Sequence, residues 1–174
     1  MKATMRLFGN LKVKFMQYPK VEYMQRAIDE AIFAAEQGNY AVGAVIIKND
    51  VILAVAHTQI HELKDPTAHA EILAIRAATN KLNSRFLEGA FLYSTLEPCP
   101  MCTSAAIFSK LKGIIFGATT EDAKQVFLNS KEHSYSWRQI DIRAEYVISK
   151  GNPELEVHSN FMREECLKLF SLSK

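Results

Sequence analysis

The sequence carries three side chains whose types and spacing suit a metal ion. Cys99 and Cys102 lie three residues apart in a Pro-Cys-Pro-Met-Cys segment, and His69 precedes them. Cysteines three apart at the start of a helix share one face, where the free N–H groups and the positive end of the dipole favour thiolates. Two thiolates and one imidazole offset the charge of Zn²⁺ and leave one tetrahedral position for water or hydroxide. The spacing therefore predicts one catalytic zinc ion per chain, bound by His69, Cys99 and Cys102.

Glu71 lies two residues after His69, so its side chain projects in a different direction and is poorly placed to bind the same ion. A carboxylate beside the open zinc position can accept a proton from the attacking water. It can then return protons to a ring nitrogen and to a departing amine. Zinc and Glu71 together would supply both the nucleophile and the means of expelling ammonia, and we predict Glu71 as the catalytic residue.

Other interpretations of the cysteines are weaker. A Cys-x-x-Cys pair alone also occurs in redox motifs and in structural zinc sites. A closed structural site needs a fourth ligand, but there is no second such pair, and Cys166 is expected to be a buried apolar residue in an amphipathic helix. A His-x-Glu segment followed by Pro-Cys-x-x-Cys is the signature of zinc nucleobase deaminases. The sequence therefore indicates a hydrolase that acts on the C–N bonds of cyclic amidines.

The elements that must position these residues follow from the hydrophobic pattern. After a β-hairpin, strands and helices alternate, which implies parallel strands joined by crossover helices. We predict a single three-layer α/β/α domain over residues 21–174, preceded by a basic and flexible leader over residues 1–20. The predicted helices span 21–37, 68–80, 99–110, 137–149 and 160–170, and the predicted strands span 41–47, 51–56, 90–95, 113–118 and 154–158.

Composition sets limits on the class of protein. The net charge is only +2, lower than is usual for a domain that depends on phosphate contacts. No apolar run approaches the roughly 20 residues that cross a bilayer, and residues 1–20 lack the pattern of a secretion signal. Three cysteines do not make a disulfide scaffold. We therefore expect a cytoplasmic protein, without a membrane partner, whose thiols are free for metal.

From Tyr40 to Phe116 the chain resembles the cytidine-deaminase-like superfamily, in the branch of guanine deaminases, fungal-type cytosine deaminases and bacterial tRNA-adenosine deaminases. The resemblance rests mainly on residues 42–45, 65–71, 92–102 and 116–118. It implies a five-stranded mixed sheet flanked by helices, and a homodimer. It also implies zinc ligands at His69, Cys99 and Cys102 and a proton shuttle at Glu71.

The resemblance is less informative about substrate contacts. In these families an Asn at the end of the second strand commonly binds the base, but here His57 or Thr58 stands there. Either His57 takes over the contact, which places it in the predicted substrate-binding set, or the substrate is an unusual one. Asp122 lies close to an acidic residue that guanine deaminases place over the base. Phe161 is predicted to stack on a planar base, and Ala68, beside His69, completes the predicted substrate-binding set.

Two substrate classes remain open. The nearly uncharged C-terminal residues and the long segment 119–153 favour a free base or nucleoside, with guanine ahead of cytosine. Residues 42–45 and 65–71 fit tRNA-specific adenosine deaminases equally well, so conversion of adenosine to inosine at the wobble position of tRNA is the alternative. A non-catalytic deaminase-fold binding subunit is disfavoured, because Glu71 is present with all three ligands.

Overall fold

Five strands form one central sheet in a computed structural model that describes residues 18–129 and 140–172. The order of the strands across the sheet is β2-β1-β3-β4-β5. The strands are β1 (Gly43–Lys48), β2 (Val51–His57), β3 (Phe91–Leu96), β4 (Gly113–Ala118) and β5 (Glu156–His158). The helices are α1 (Val21–Glu36), α2 (Ala70–Leu82), α3 (Pro100–Phe108), α4 (Thr120–Asn129), α5 (Ala144–Ser149) and α6 (Arg163–Lys168), with a 3₁₀ turn at Leu169–Leu172.

The directions of the strands confirm the predicted mixed sheet. β1 is antiparallel to both β2 and β3, whereas β3, β4 and β5 run parallel. Because β1 reverses direction between β2 and β3, those two strands also point the same way. Their carboxyl ends and that of β4 therefore meet at one edge of the sheet. The loops that lead into α2, α3 and α4 leave from this edge.

Alternate side chains of the central strands enter two separate cores. Ile46, Leu92 and Ile114 pack on one face with residues of α2, α3 and α5. Val45, Tyr93 and Ile115 pack on the other face with residues of α1 and α6. Successive strand residues point to opposite faces, so the long apolar runs predicted as strands are buried on both sides. This arrangement confirms the three-layer α/β/α fold.

The late part of the chain differs from the sequence prediction. α4 is a helix that the hydrophobic pattern did not predict, and the helix predicted over 137–149 begins only at Ala144. Ala144 and Ile148 are buried, but Ile140 is 62% exposed; residues 137–139 lie outside the described part of the chain. The N–H group of Ala144 is bound by a distant side chain, Glu97. Because Glu97 and Ala144 are 47 residues apart in the sequence, no residue near position 144 indicates that the helix begins there.

The last helix is also shorter than predicted. Asn160 and Met162 have φ values of 60° and 55°, in the left-handed region, so a continuous helix from residue 160 is excluded and α6 begins at Arg163. Cys166 is buried in α6, as expected for an apolar core residue. Among the residues that the structure describes, no helix combines the length and apolar character needed to span a membrane.

Candidate active site

Two helices begin at the same point beside the carboxyl ends of the parallel strands. His69 is the residue that caps the start of α2, and Cys99 caps the start of α3, with Pro100 in the first helical turn. Proline is favoured there because its missing N–H group would have no partner in the helix anyway. Cys102, fully buried, lies in the same first turn of α3. The two helix N-termini therefore bring together one imidazole and two thiols from distant parts of the sequence.

The three ligand atoms form a triangle of the size that zinc requires. The His69 Nδ1 atom lies 3.8 Å from the Cys99 sulfur and 3.5 Å from the Cys102 sulfur, and the two sulfurs are 3.7 Å apart. Tetrahedral bonds of ordinary Zn–S and Zn–N length would place such atoms about 3.5 to 3.8 Å apart. These three residues are the group that could hold a metal ion among the described residues, and their donor set fits Zn²⁺.

The thiols and the imidazole are strongly coupled before any metal binds. The hydrogen bond with Cys102, helped by His69, lowers the pKa of the Cys99 thiol to about 4 despite its burial. The hydrogen bond with Cys99 raises the pKa of His69 above its ordinary value. The separate hydrogen bond between Cys102 and Cys99, together with burial, raises the pKa of the Cys102 thiol. A thiolate is therefore already favoured at Cys99, and thiolate is the form that binds metal.

Glu71 lies in the first turn of α2 and is 3% exposed. Burial raises the pKa of its carboxyl group above the ordinary value, and the neighbouring His69 only partly opposes this effect. A raised pKa makes the protonated form of a carboxyl group easier to reach, and proton transfer in both directions uses that form. Glu71 is thus placed beside the three ligands in an environment suited to proton transfer.

A tight turn fixes the approach to His69. The Asp65 carboxylate accepts hydrogen bonds from the N–H group and the hydroxyl of Thr67, at 2.8 and 2.7 Å. The N–H group of Ala68 donates to the Asp65 carbonyl, and the Ala68 carbonyl accepts from the N–H group of Gln59. Ala68 is buried. These contacts hold the backbone from which the His69 ring projects.

His57 is at the end of β2, but its ring is engaged with α1. Its Nδ1 atom lies 3.0 Å from a carboxylate oxygen of Glu30, and its ring meets that of Phe33 edge-on at 5.0 Å. Val55, which shares its strand face, packs in the core beside α1. Thr58, the other candidate at this place, is buried. The predicted contact between His57 and a base stays a prediction.

Asp122 and Phe161 have structural partners of their own. The Asp122 carboxylate pairs with the Arg163 guanidinium and accepts hydrogen bonds from the N–H group and hydroxyl of Thr119. The Phe161 N–H group donates to the Phe116 carbonyl of β4, and its side chain packs against the core beside α1. Their predicted substrate contacts also stay predictions.

The sequence interpretation did not single out Glu97, the buried acidic residue two positions before Cys99. Its side chain has no exposed surface and accepts hydrogen bonds from three different residues. A charged residue between a strand predicted to be buried and the Pro-Cys segment was a signal that could have identified it. Charged side chains in such a place are seldom buried without partners.

The chain matches known deaminases over most of its length. A family model described as MafB19-like deaminase matches residues 19–164. A solved structure from a study of A-to-I editing by tRNA:A34 deaminases at the wobble position of transfer RNA superposes with a TM-score of 0.70. It is 29% identical and covers 86% of this chain and 99% of its own.

Two curated relatives differ in the substrate that their names state. The tRNA-specific adenosine deaminase of Aquifex aeolicus is 48% identical over 99 residues, which are 57% of this chain and 66% of the relative. The guanine deaminase of Bacillus subtilis is 34% identical over 124 residues, which are 71% of this chain and 78% of the relative. The chain thus spans just under two thirds of the length of the first of these relatives.

Proposed function

The chain belongs to the MafB19-like deaminase family, within the cytidine-deaminase-like superfamily, and from this premise we propose that it is a zinc-dependent tRNA-specific adenosine deaminase. The observation that carries the proposal is the triangle of His69, Cys99 and Cys102 beside the buried Glu71. The reaction would convert adenosine to inosine at the wobble position and release ammonia. The relatives favour this substrate over guanine or cytosine, which the nearly uncharged C-terminal residues and the long segment 119–153 favour.

The residues of the site have distinct parts in this reaction. Zinc bound by His69, Cys99 and Cys102 would lower the pKa of water and so supply a nucleophile at neutral pH. Glu71 accepts the proton that the attacking water loses. The protonated carboxyl group donates this proton to the ring nitrogen. It then accepts the remaining hydroxyl proton as the carbonyl forms, and donates it to the amino group, which leaves as ammonia when the C–N bond breaks. Burial raises the pKa of Glu71 above its ordinary value, which favours the protonated form that the donating steps need.

A second candidate substrate is free guanine. The guanine deaminase relative aligns over a larger share of this chain than the Aquifex aeolicus protein does. The segment that contains α4 and α5 was interpreted from the sequence as resembling that of guanine deaminases. His57, Asp122, Phe161 and Ala68 remain the proposed substrate contacts for either class of substrate.

The test is an assay of inosine and ammonia with zinc-loaded protein. The substrates are a tRNA anticodon stem-loop with adenosine at position 34, the same stem-loop with guanosine there, free guanine and free cytosine. The variant Glu71→Ala provides the blank. Inosine formation in the first stem-loop alone supports the proposal. Ammonia release from guanine alone would replace it by the second candidate, and turnover of neither would contradict both.

The assembly and compartment are also proposals. We propose a homodimer because large apolar side chains lie on the surface near α3 and α5; Phe108 is 78% exposed and Tyr146 is 59% exposed. Light scattering on purified protein would test the dimer. We propose the cytoplasm because reducing conditions keep the thiols of Cys99 and Cys102 available for zinc.

A further inference from the structure

We propose that Glu97 is a positioning residue for the metal site. Its hydrogen bonds connect the loop that carries Cys99 to the starts of α4 and α5, and so fix the position of the Cys99 thiolate. This inference rests on the proposed zinc site and assigns a part to a residue that contacts neither substrate nor metal in the proposed function. It follows from the hydrogen bonds of Glu97, its complete burial and its place in the chain.

Four donors converge on the Glu97 carboxylate. One oxygen accepts from the N–H group and the hydroxyl of Thr120, both at 3.0 Å. The other oxygen accepts from the Nε–H group of Arg143 and the N–H group of Ala144, both at 2.9 Å. Thr120 and Ala144 are the first residues of α4 and α5. One carboxylate therefore caps two helices whose first N–H groups have no partners within their own helices.

The backbone of Glu97 is fixed as firmly as its side chain. Its N–H group donates to the Ala118 carbonyl at the end of β4, at 2.8 Å. The next carbonyl, that of Pro98, accepts from the buried Thr103 hydroxyl at 3.0 Å, and the Cys99 carbonyl accepts from the Thr103 N–H group at 2.9 Å. The three residues from Glu97 to Cys99 are thus anchored at each position. The Cys99 sulfur has little freedom to move away from His69 and Cys102.

The four hydrogen bonds at position 97 require a carboxylate. All four partners are donors, so the side chain must offer acceptors at both oxygens. An amide would direct its own N–H groups toward one pair of these donors. At least one donor that cannot accept, such as the Thr120 N–H group, would then be unsatisfied in a buried place. The Arg143 guanidinium, whose side chain is 40% exposed, is the cation that compensates this fully buried charge. Glu97 and Arg143 should therefore act together.

The experiment compares zinc affinity and the cobalt spectrum of full-length wild type, Glu97→Gln and Arg143→Met. Zinc affinity is measured by competition with a chromophoric chelator. The thiolate charge-transfer and ligand-field bands of the Co²⁺-substituted protein report the geometry of the sulfur ligands. A general loss of stability would not shift these bands in the protein that remains folded. For Glu97→Gln we expect zinc affinity to fall about 10–100-fold, the usual effect of losing a group that orients a ligand, with shifted cobalt bands. Arg143→Met should act in the same direction but more weakly.

The matched control is Glu88→Gln, which removes an exposed glutamate paired with Lys110 at 3.3 Å. Its zinc affinity and cobalt spectrum should equal those of wild type. If Glu97→Gln fails to fold, Arg143→Met decides, because it changes a side chain at the surface. If every folded variant of Glu97 and Arg143 has the zinc affinity and cobalt spectrum of wild type, the inference about Glu97 is overturned and the proposed function is not. A wild-type protein that binds no zinc would overturn the proposed function as well.

Discussion

At the scale of single residues, the balance between burial and hydrogen bonds shifts the pKa values of two carboxyl groups in opposite directions. Glu71 is surrounded by the thiols and imidazole of the site, and burial raises its pKa. Asp122 is partly buried too, but hydrogen bonds from Arg163 and Thr119 outweigh that effect and hold its pKa below the ordinary value. Partners that donate to a carboxylate favour its charged form, whereas burial favours the neutral form, and at Glu71 burial is the larger effect. Glu71 is therefore suited to exchange protons, and Asp122 to remain charged.

Glu71→Gln should remove proton transfer and leave the metal site intact. The amide is nearly isosteric with the carboxyl group but cannot accept the proton of the attacking water. We expect kcat to fall by at least about 100-fold with zinc still bound at full stoichiometry. Steady-state kinetics and metal analysis on the same sample check this result. Loss of zinc from the variant would contradict the assignment of Glu71 to water rather than to metal.

Asp122→Asn should lower stability in a pH-dependent way. The pKa of Asp122 is lowered in the folded protein, so its charge stabilises the fold above its ordinary pKa of 3.8, and this contribution disappears as pH falls through the lower folded value. We expect wild type to exceed the variant by about 1 kcal/mol at neutral pH, with the difference shrinking below pH 3.8.

Urea unfolding of Asp122→Asn and wild type across this pH range gives the measurement. Asp141→Asn is a suitable control, since Asp141 is exposed and pairs with Lys124 at 3.6 Å. A difference in stability between wild type and Asp122→Asn that is independent of pH would contradict the role of the charge.

At the scale of elements, close contact between α1 and β1 sets how the first helix lies on the sheet. A side chain at Gly43 would place its Cβ atom 2.0 Å from the Ala27 carbonyl oxygen and 2.7 Å from the Ala31 nitrogen. The Gly43 N–H group also donates to the Thr95 hydroxyl, at 3.2 Å. The helix can approach this closely only because the strand begins with glycine. The same strand end pairs with His57 and adjoins the catalytic edge of the sheet.

Gly43→Ala should therefore destabilise the protein strongly. The added methyl group meets backbone atoms of α1, which cannot move without shifting the whole helix, so we expect a loss of about 2 kcal/mol or more in the free energy of unfolding. Gly151→Ala is the matched control. Its Cβ atom would meet side-chain atoms of Ile107, the nearest at 2.6 Å, and no backbone atom among its three nearest neighbours, so we expect a smaller loss. Chemical denaturation of both variants checks the prediction, and equal losses would contradict it.

At the scale of the whole molecule, the metal site lies at one edge of the sheet, and the contacts of residues 18–20 with the domain lie at the opposite edge. The β1–β2 turn places Asp50 at the edge where β3 begins. There Asp50 binds Lys20 and accepts a hydrogen bond from the Tyr23 hydroxyl, while Tyr18 packs on Phe91 with ring centroids 4.6 Å apart. Residues 18–20, assigned to the leader from the sequence, thus contact the domain. Residues 1–17 lie outside the described part of the chain.

Zinc should stabilise the whole domain, because its ligands come from the starts of two helices that pack on the same sheet face. Free zinc at 100 times its dissociation constant contributes about 2.7 kcal/mol to the folded state. For a chain of this size we expect an increase of about 5–10 °C in the melting temperature relative to chelator-treated protein. Calorimetry or circular dichroism measures the shift.

Cys99→Ala is the control for this effect of zinc. Two remaining ligands hold zinc poorly, so the variant should show almost no thermal response to the metal. A response equal to that of wild type would exclude Cys99 as a ligand.

The sequence by itself determined the chemistry and the sheet. His69, Cys99 and Cys102 were predicted as zinc ligands, and the structure brings their donor atoms within 4.8 Å of one another. The buried strands, the α/β layers and the helices that carry the ligands also follow from the sequence. Apolar periodicity and short motifs at helix starts are local signals, and a local signal can be interpreted without knowing the rest of the fold.

Only the tertiary structure decided how the late segment is held and where the predicted substrate residues lie. α4 and α5 begin where Glu97 binds their first N–H groups, and Asp122 pairs with Arg163, which is far away in the sequence. His57 turns toward Glu30 on α1 because the direction of a strand side chain depends on which element covers each face. Such contacts join residues that are distant in sequence, so their positions follow from packing of the whole domain.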